Sequence, residues 1–171
     1  MNDPQFFGYG SLVNLKTHAY VQPKHAQVTG WRRVWRSTTH SDVAILSVTP
    51  HADTTLDGIV AQVPNADWIA LDARERAYKR QIQENGVAIY EIIDEIIYPA
   101  AGPHPILRSY LDVVIQGYLT EFGTTGAAKF FETTDNWGPI KDDRSNPLYP
   151  RHQQLSAAET AFIDEQLAAL G

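Results

Sequence analysis

Two short segments of this chain carry residue types that can do chemistry together. Phe7-Gly8-Tyr9-Gly10-Ser11-Leu12 sets two glycines around a tyrosine, at the end of a short apolar stretch. Glycine frees the backbone for turns whose successive N–H groups converge on one point. Such a nest receives a carboxylate, a phosphate or a developing oxyanion. It is not a dinucleotide fingerprint, because Val13 stands where the third glycine belongs, and no Gly-Lys pair comes after it to make a phosphate loop. The second segment is Leu71-Asp72-Ala73-Arg74-Glu75-Arg76-Ala77-Tyr78. Glu75 falls at the end of a helical pattern, where the helix dipole disfavours its charge and raises its proton affinity. Arg74 and Arg76 act in the opposite sense, and the sequence leaves that balance open. Each segment also has a plainer reading, as a glycine turn or a solvated charged turn. Tyr110, on the apolar face of a third segment, reads equally as a core tyrosine or a ligand contact.

Other chemistries are excluded or unsupported. The chain has no cysteine, which removes disulfides, thiolate zinc sites, iron–sulfur clusters and a thiol nucleophile. The six histidines (His18, His25, His40, His51, His104 and His152) show no paired ligand spacing, so no metal and no cofactor are expected. Fourteen basic against twenty acidic residues give a net charge of −6, without the basic surplus of a nucleic-acid binder. Met1-Asn2-Asp3-Pro4 lacks a charged and apolar leader, and no apolar run reaches the ~18 residues of a membrane span. A soluble cytoplasmic protein is the expectation.

At 171 residues, a single domain spanning 1–171 is the default. The first half reads as strands: residues 5–10, 26–37, 43–48 (stopped by Pro50) and 58–63 (stopped by Pro64) are β-branched or aromatic runs between turn residues. A helix of about three turns is expected over 65–75, with Asn65 as its N-cap. Residues 78–82 and 87–98 form a hairpin about Asn85-Gly86, with room for a bulge in the return strand. Pro105 and Gly123 bracket a long helix, 127–133 suggests a short second one, and Ser156 with Glu159 forms a capping box for the last. Strands first and helices later imply an α+β fold. The expected sheet is mixed or antiparallel and curled into a small β-barrel with surrounding helices.

In this order, the segments resemble the γ-glutamylcyclotransferase-like superfamily. Phe7 to Leu12 matches its early YGS loop, and Leu71-Asp72-Ala73-Arg74-Glu75 with Tyr78 and Arg80 matches its LDxRE motif. Arg108-Ser109-Tyr110 resembles a third position, and Thr133 to Trp137, Asp143-Arg144 and Pro147 to Pro150 resemble the C-terminal region of bacterial members. Many members have Gly where this chain has Arg76, and the Glu75–Tyr78 spacing is shorter than in some. The resemblance implies a cofactor-independent enzyme in which the α-amine of a γ-glutamyl compound attacks its own γ-carbonyl, releasing an amine or amino acid and 5-oxoproline. It implies Glu75 as the catalytic base, with Tyr9, Gly10, Ser11, Leu12, Tyr78 and Tyr110 binding the small-molecule γ-glutamyl substrate. Two alternatives are a non-catalytic small-ligand-binding member of the fold and a hydrolase whose carboxylate activates water.

Overall fold

The computed structural model describes residues 2–98 and 104–171. The chain is α+β, with a six-stranded mixed sheet in the order β4-β5-β1-β3-β2-β7 and helices packed around it. Its strands are β1 (Gln5–Gly8), β2 (Val21–Thr38), β3 (Ser41–Gln62), β4 (Tyr78–Ile82), β5 (Ala88–Ile92) and β7 (Thr134–Asp135). A separate parallel pair joins β6 (Ile106–Leu107) to β8 (Ile140–Lys141). The helices are α1 (Ile69–Arg74), α2 (Arg108–Glu132) and α3 (Ala157–Ala169). Among the described residues no helix is long and apolar enough to cross a membrane.

The expected barrel does not close. The sheet curls until β5 faces the middle of β3, where Ile92 N–H donates to Ser47 Oγ (3.0 Å) and Tyr78 Oη to Leu46 O (2.6 Å). These are side-chain bonds, not a strand ladder, so β4 and β7 remain as edges. The curl still leaves a hollow between β3 and the β4–β5 hairpin.

The strands expected at 43–48 and 58–63 are one strand, β3, which forms a long antiparallel hairpin with β2. Pro50 lies in it opposite Trp31. Proline is tolerated there because the other neighbour of β3, β1, pairs only with residues 59–62, so no second ladder loses a donor. The register jumps between Thr29↔Thr55 and Gly30↔His51, which loops residues 52–54 out of the pairing. β5 ends at Ile92, short of the expected 98. Its register against β4 is unbroken, and the shift in sequence pattern marks the chain's exit into a 3₁₀ turn at Asp94–Ile96, not a bulge. Helix α1 has six residues, not three turns. Asn65 does not cap it: Asn65 and Ala66 have φ of 56° and 54°, and Asp67 Oδ1 accepts from Ile69 N–H instead (3.1 Å). Helix α2 begins after β6 and breaks at Gly123 (φ 68°), near the expected division. The Ser156–Glu159 capping box is present in both directions.

One buried side chain ties these elements together. Arg33 is 1% exposed. Its guanidinium donates to Tyr9 O (2.9 Å), Asp57 O (2.9 Å), Thr133 Oγ1 (2.8 Å) and Tyr118 Oη. It also lies over the Tyr118 and Phe130 rings, 5.0 and 4.7 Å from their centroids. Tyr118 Oη completes the web with bonds to Tyr9 O (3.0 Å) and Asp57 O (2.7 Å). Nearby, α2 comes so close to the loop after β1 that a Cβ on Gly117 would lie 2.7 Å from Asn14 N.

Both contacts are expected to show in thermal melts. Arg33→Met leaves buried carbonyls short of donors, at about 1–3 kcal/mol for each group not re-satisfied. Gly117→Ala forces backbone from backbone and costs about 1–3 kcal/mol. Each kcal/mol lowers the melting temperature of a chain this size by roughly 2–4 °C.

Candidate active site

The glycine loop leaves β1 and turns at once into a 3₁₀ helix, Ser11–Val13. Its carbonyls are all occupied. Tyr9 O is held by Arg33 and Tyr118, and Gly10 O and Ser11 O accept from Val13 and Asn14 N–H, both at 3.1 Å. Leu12 O meets His18 Nε2 at 2.8 Å. Tyr20 N–H donates to His18 Nδ1 (3.2 Å), so the Nε2 of this ring carries the proton and donates to Leu12 O. Burial lowers the His18 pKa and favours this neutral form. Asn14 Nδ2 anchors the loop to α2 through Val113 O (2.9 Å). By contrast, the N–H groups of Gly10, Ser11 and Leu12 have no hydrogen-bond acceptor among the described residues. The loop therefore presents a donor-rich edge, as the first amides of a helical turn do.

Glu75 closes α1: its N–H donates to Leu71 O, and its carbonyl accepts from Tyr78 N–H, both at 2.9 Å. Asp72, three residues earlier, holds α1 against the hairpin. It accepts two bonds from Arg80 Nη1 (2.7 and 2.8 Å) and one from Tyr90 Oη (2.6 Å). Arg80 in turn lies 4.1 Å over the Trp68 ring. Arg74 links the helix end directly to the loop region, donating to Ser11 Oγ (3.2 Å), Thr17 O (3.0 Å) and Thr17 Oγ1 (3.1 Å). Its Nε is 3.5 Å from Glu75 Oε1. The Glu75 side chain is only 14% exposed. Burial pushes its pKa above the usual carboxylate range, while Arg74 and Arg151 pull it down less strongly. Desolvation thus decides the balance that the sequence left open.

The glycine loop and Glu75 line the same hollow. A deep chamber of about 30 Å³ is walled by Tyr9, Gly10, Ser11, Leu12 and Glu75, with Tyr78 and Tyr110 beside them. An outer cavity of about 190 Å³ shares Ser11, Glu75, Tyr78 and Tyr110 and opens between Val43 to Leu46, Leu107, Tyr149 and Arg151. All seven residues singled out in the sequence are brought together. The tyrosines differ in what they offer. Tyr9 Oη donates to Tyr90 O and Tyr78 Oη to Leu46 O, both at 2.6 Å, so these hydroxyls are committed to the fold and their rings form walls. Tyr110 Oη lies 3.0 Å from where a Gly10 Cβ would sit. Glycine at that position keeps a tyrosine hydroxyl close to the loop backbone. Burial raises the pKa of all three phenols and keeps them protonated. Arg76 does not line the hollow.

Several lining residues escaped the sequence reading. Arg74 sat inside the motif but read only as a neighbour of Glu75. Leu46 and Tyr90 read as strand core, with no pattern to show that they line a chamber. Tyr149 and Arg151 lie in a proline-rich stretch that locally resembles any exposed loop. Among the described residues, no cluster of three or more His, Asp or Glu side chains is placed to hold a metal ion. The arrangement puts one carboxylate with raised proton affinity in the same hollow as a loop whose amides have no acceptor among the described residues. That pairing can move a proton at one end of a small ligand and hold negative charge at the other.

No family model matches the chain, and no curated protein matches it. Solved structures do. YkqA from Bacillus subtilis superposes with a TM-score of 0.61 at 16% identity, covering 82% of this chain. This chain spans only 57% of the length of YkqA. The uncharacterized human protein loc79017 superposes with a TM-score of 0.58 at 13% identity, covering 84% of this chain and 96% of its own. A gamma-glutamyl cyclotransferase superposes with a TM-score of 0.55 at 11% identity, covering 95% of this chain and 98% of its own. Identities this low speak to architecture alone, and that architecture is the γ-glutamylcyclotransferase-like fold.

Proposed function

We propose that this chain is a γ-glutamylcyclotransferase-type enzyme that converts a small γ-glutamyl compound to 5-oxoproline and a free amine or amino acid. The observation that supports it most is the Glu75 carboxylate, mostly shielded from solvent, sharing one small hollow with the glycine loop. The reaction needs little more. The substrate supplies its own nucleophile, and closing a five-membered ring benefits from orientation alone. Glu75 takes a proton from the α-ammonium group. The freed nitrogen attacks the γ-carbonyl carbon, and the loop amides of Gly10 to Leu12 hold the substrate carboxylate or the developing oxyanion. As the bond to the leaving nitrogen breaks, Glu75 returns its proton there. The second proton lost by the ring nitrogen also ends on the leaving amine, which departs as an ammonium ion. Tyr78 and Tyr110 shape the wall around the glutamyl chain. A base working near neutral pH gains from a raised carboxylate pKa, and burial of Glu75 acts in that direction.

Incubation with a panel of γ-glutamyl compounds is expected to release 5-oxoproline. Free glutamate instead would indicate hydrolysis, and ligand-induced stabilisation without turnover would indicate a binding protein. Glu75→Gln is expected to lower turnover by about 10²–10⁴-fold.

Two pH-linked effects share the same cause. Glu75 works as a base only when ionised, so kcat/KM should fall on the acid side with a midpoint above ~4.3, the ordinary glutamate value. For stability the sign is opposite. Because the folded-state pKa is raised, the folded chain binds more protons than the unfolded one, and stability declines as pH rises through the interval between the two values. Above that interval the desolvated Glu75 is a net burden, so Glu75→Gln should there melt at or above the wild-type temperature while losing activity.

A further inference from the structure

The segment from Asp143 to Gln154 runs as a strap along the first turns of α2 and brings Tyr149 to the outer cavity. Both ends of the strap are tied to α2. Arg144 Nε and Nη2 donate to the two carboxylate oxygens of Asp112, both at 2.8 Å, and Gln116 Nε2 donates to Gln154 O (3.0 Å). Apolar burial does not hold the middle. Asp143 is the only buried residue between Asp142 and His152, and Leu148 is 50% exposed. A polar clamp holds it instead. Asp143 Oδ1 accepts from Ser109 N–H (2.8 Å), and Oδ2 accepts from Ser109 Oγ (2.5 Å) and Leu148 N–H (2.8 Å). Ser109 Oγ in turn accepts from Tyr149 N–H (3.2 Å). One carboxylate thus serves two elements. It caps α2, whose own N-cap residue, Leu107, has no side-chain acceptor, and it fastens the strap where the chain enters Tyr149. Burial raises the proton affinity of Asp143, but its hydrogen bonds, led by that from Ser109, outweigh burial and lower the pKa. The Tyr149 ring so placed meets the Tyr110 ring edge to face, with centroids 5.0 Å apart, and both rings line the outer cavity.

We propose that Asp143 is a positioning residue for the outer cavity: through Ser109 and Leu148 it fixes the Tyr149 ring against Tyr110, and with it one wall that the substrate meets. This rests on the enzymatic reading of the hollow and extends it to a residue that lines neither chamber. With the clamp gone, the hydrogen bonds that tie the strap to α2 are those at Arg144 and Gln154, among the described residues. The segment between them regains conformational entropy, which favours release of Tyr149. A wall contacts the ground state and the transition state alike, so its loss raises KM and leaves kcat. Glu75 and the glycine loop take no part in the clamp and keep their own bonds.

The test has a structural arm and a kinetic arm. In the free protein, Asp143→Ala is expected to speed hydrogen exchange at the Leu148 and Tyr149 amides by about tenfold, with the Val113 and Val114 amides unchanged. Ser109→Ala keeps the α2 cap and removes only the bridge to Tyr149, so it should speed the Tyr149 amide more than the Leu148 amide. It also carries the test should Asp143→Ala fail to fold. On the γ-glutamyl compound that the wild type turns over fastest, Asp143→Ala should raise KM about three- to tenfold, the worth of one aromatic contact, with kcat within about twofold. Tyr149→Ala should match it, and the double variant should be no worse than either single one, because the two residues act as one unit. Unchanged exchange at Leu148 and Tyr149 overturns the clamp. A fall in kcat at constant KM, or additive losses in the double variant, overturns a role through Tyr149. No 5-oxoproline from any γ-glutamyl compound overturns the cyclotransferase reading and the positioning role with it. The exchange arm needs no substrate, so failure of the clamp and failure of that reading give different results.

Discussion

A buried cation that pairs with no carboxylate among the described residues organises this protein. Removing a charge from water costs several kcal/mol unless every donor finds an acceptor. Arg33 comes close to meeting that demand, placing four of its five N–H donors on carbonyl and hydroxyl oxygens. The requirement dictates where backbone oxygens must point. Tyr9 O is drawn inward where β1 ends, and Asp57 O is drawn to the same guanidinium from the far arm of β3. Once the carbonyls of the glycine loop are turned toward the core and toward its own helical turn, the amides are left for the hollow. The donor-rich edge of the site is thus the reverse side of a cation's solvation.

The opposite wall rests on a different compromise. Glu75 is the end of a six-residue helix, too short to persist without outside support. Asp72 supplies that support through Arg80 and Tyr90, and Arg74 through Ser11 and Thr17. Neighbouring residues of one motif therefore have separate tasks: Asp72 holds the helix to the sheet, Arg74 holds it to the loop, and Glu75 is left facing the cavity. Its desolvation is tolerated because the bonds of its neighbours Asp72 and Arg74 over-determine its position.

Local features were legible in the sequence, and long-range closure was not. The Asn85-Gly86 turn, the Ser156–Glu159 capping box and the division of α2 at Gly123 depend on neighbours a few residues away. The two site motifs were also legible, because glycine spacing and a helix-end carboxylate are local signals. Pro50 misled because its tolerance depends on where β1 stops pairing. The barrel failed to close because side-chain bonds to Ser47 and Leu46 replaced a ladder, and no periodicity records that. Arg32 and Arg33 look alike in the sequence. Alternation along β2 sends Arg32 outward to Asp135 and Arg33 into the core, and only the sheet's partners reveal which is which. The sequence likewise could not show that the hydroxyls of Tyr9 and Tyr78 are occupied by backbone carbonyls.

The web around Arg33 also bears on the order of assembly. The β2–β3 hairpin needs only a tight turn at residues 39–40, whereas Tyr118 reaches Tyr9 across 109 positions and Asn14 reaches Val113 across 99. Closing such spans is entropically slow compared with zipping adjacent strands. A chain partway through folding thus owns its hairpin before it owns its hollow, which is complete only when the most distant contacts have formed.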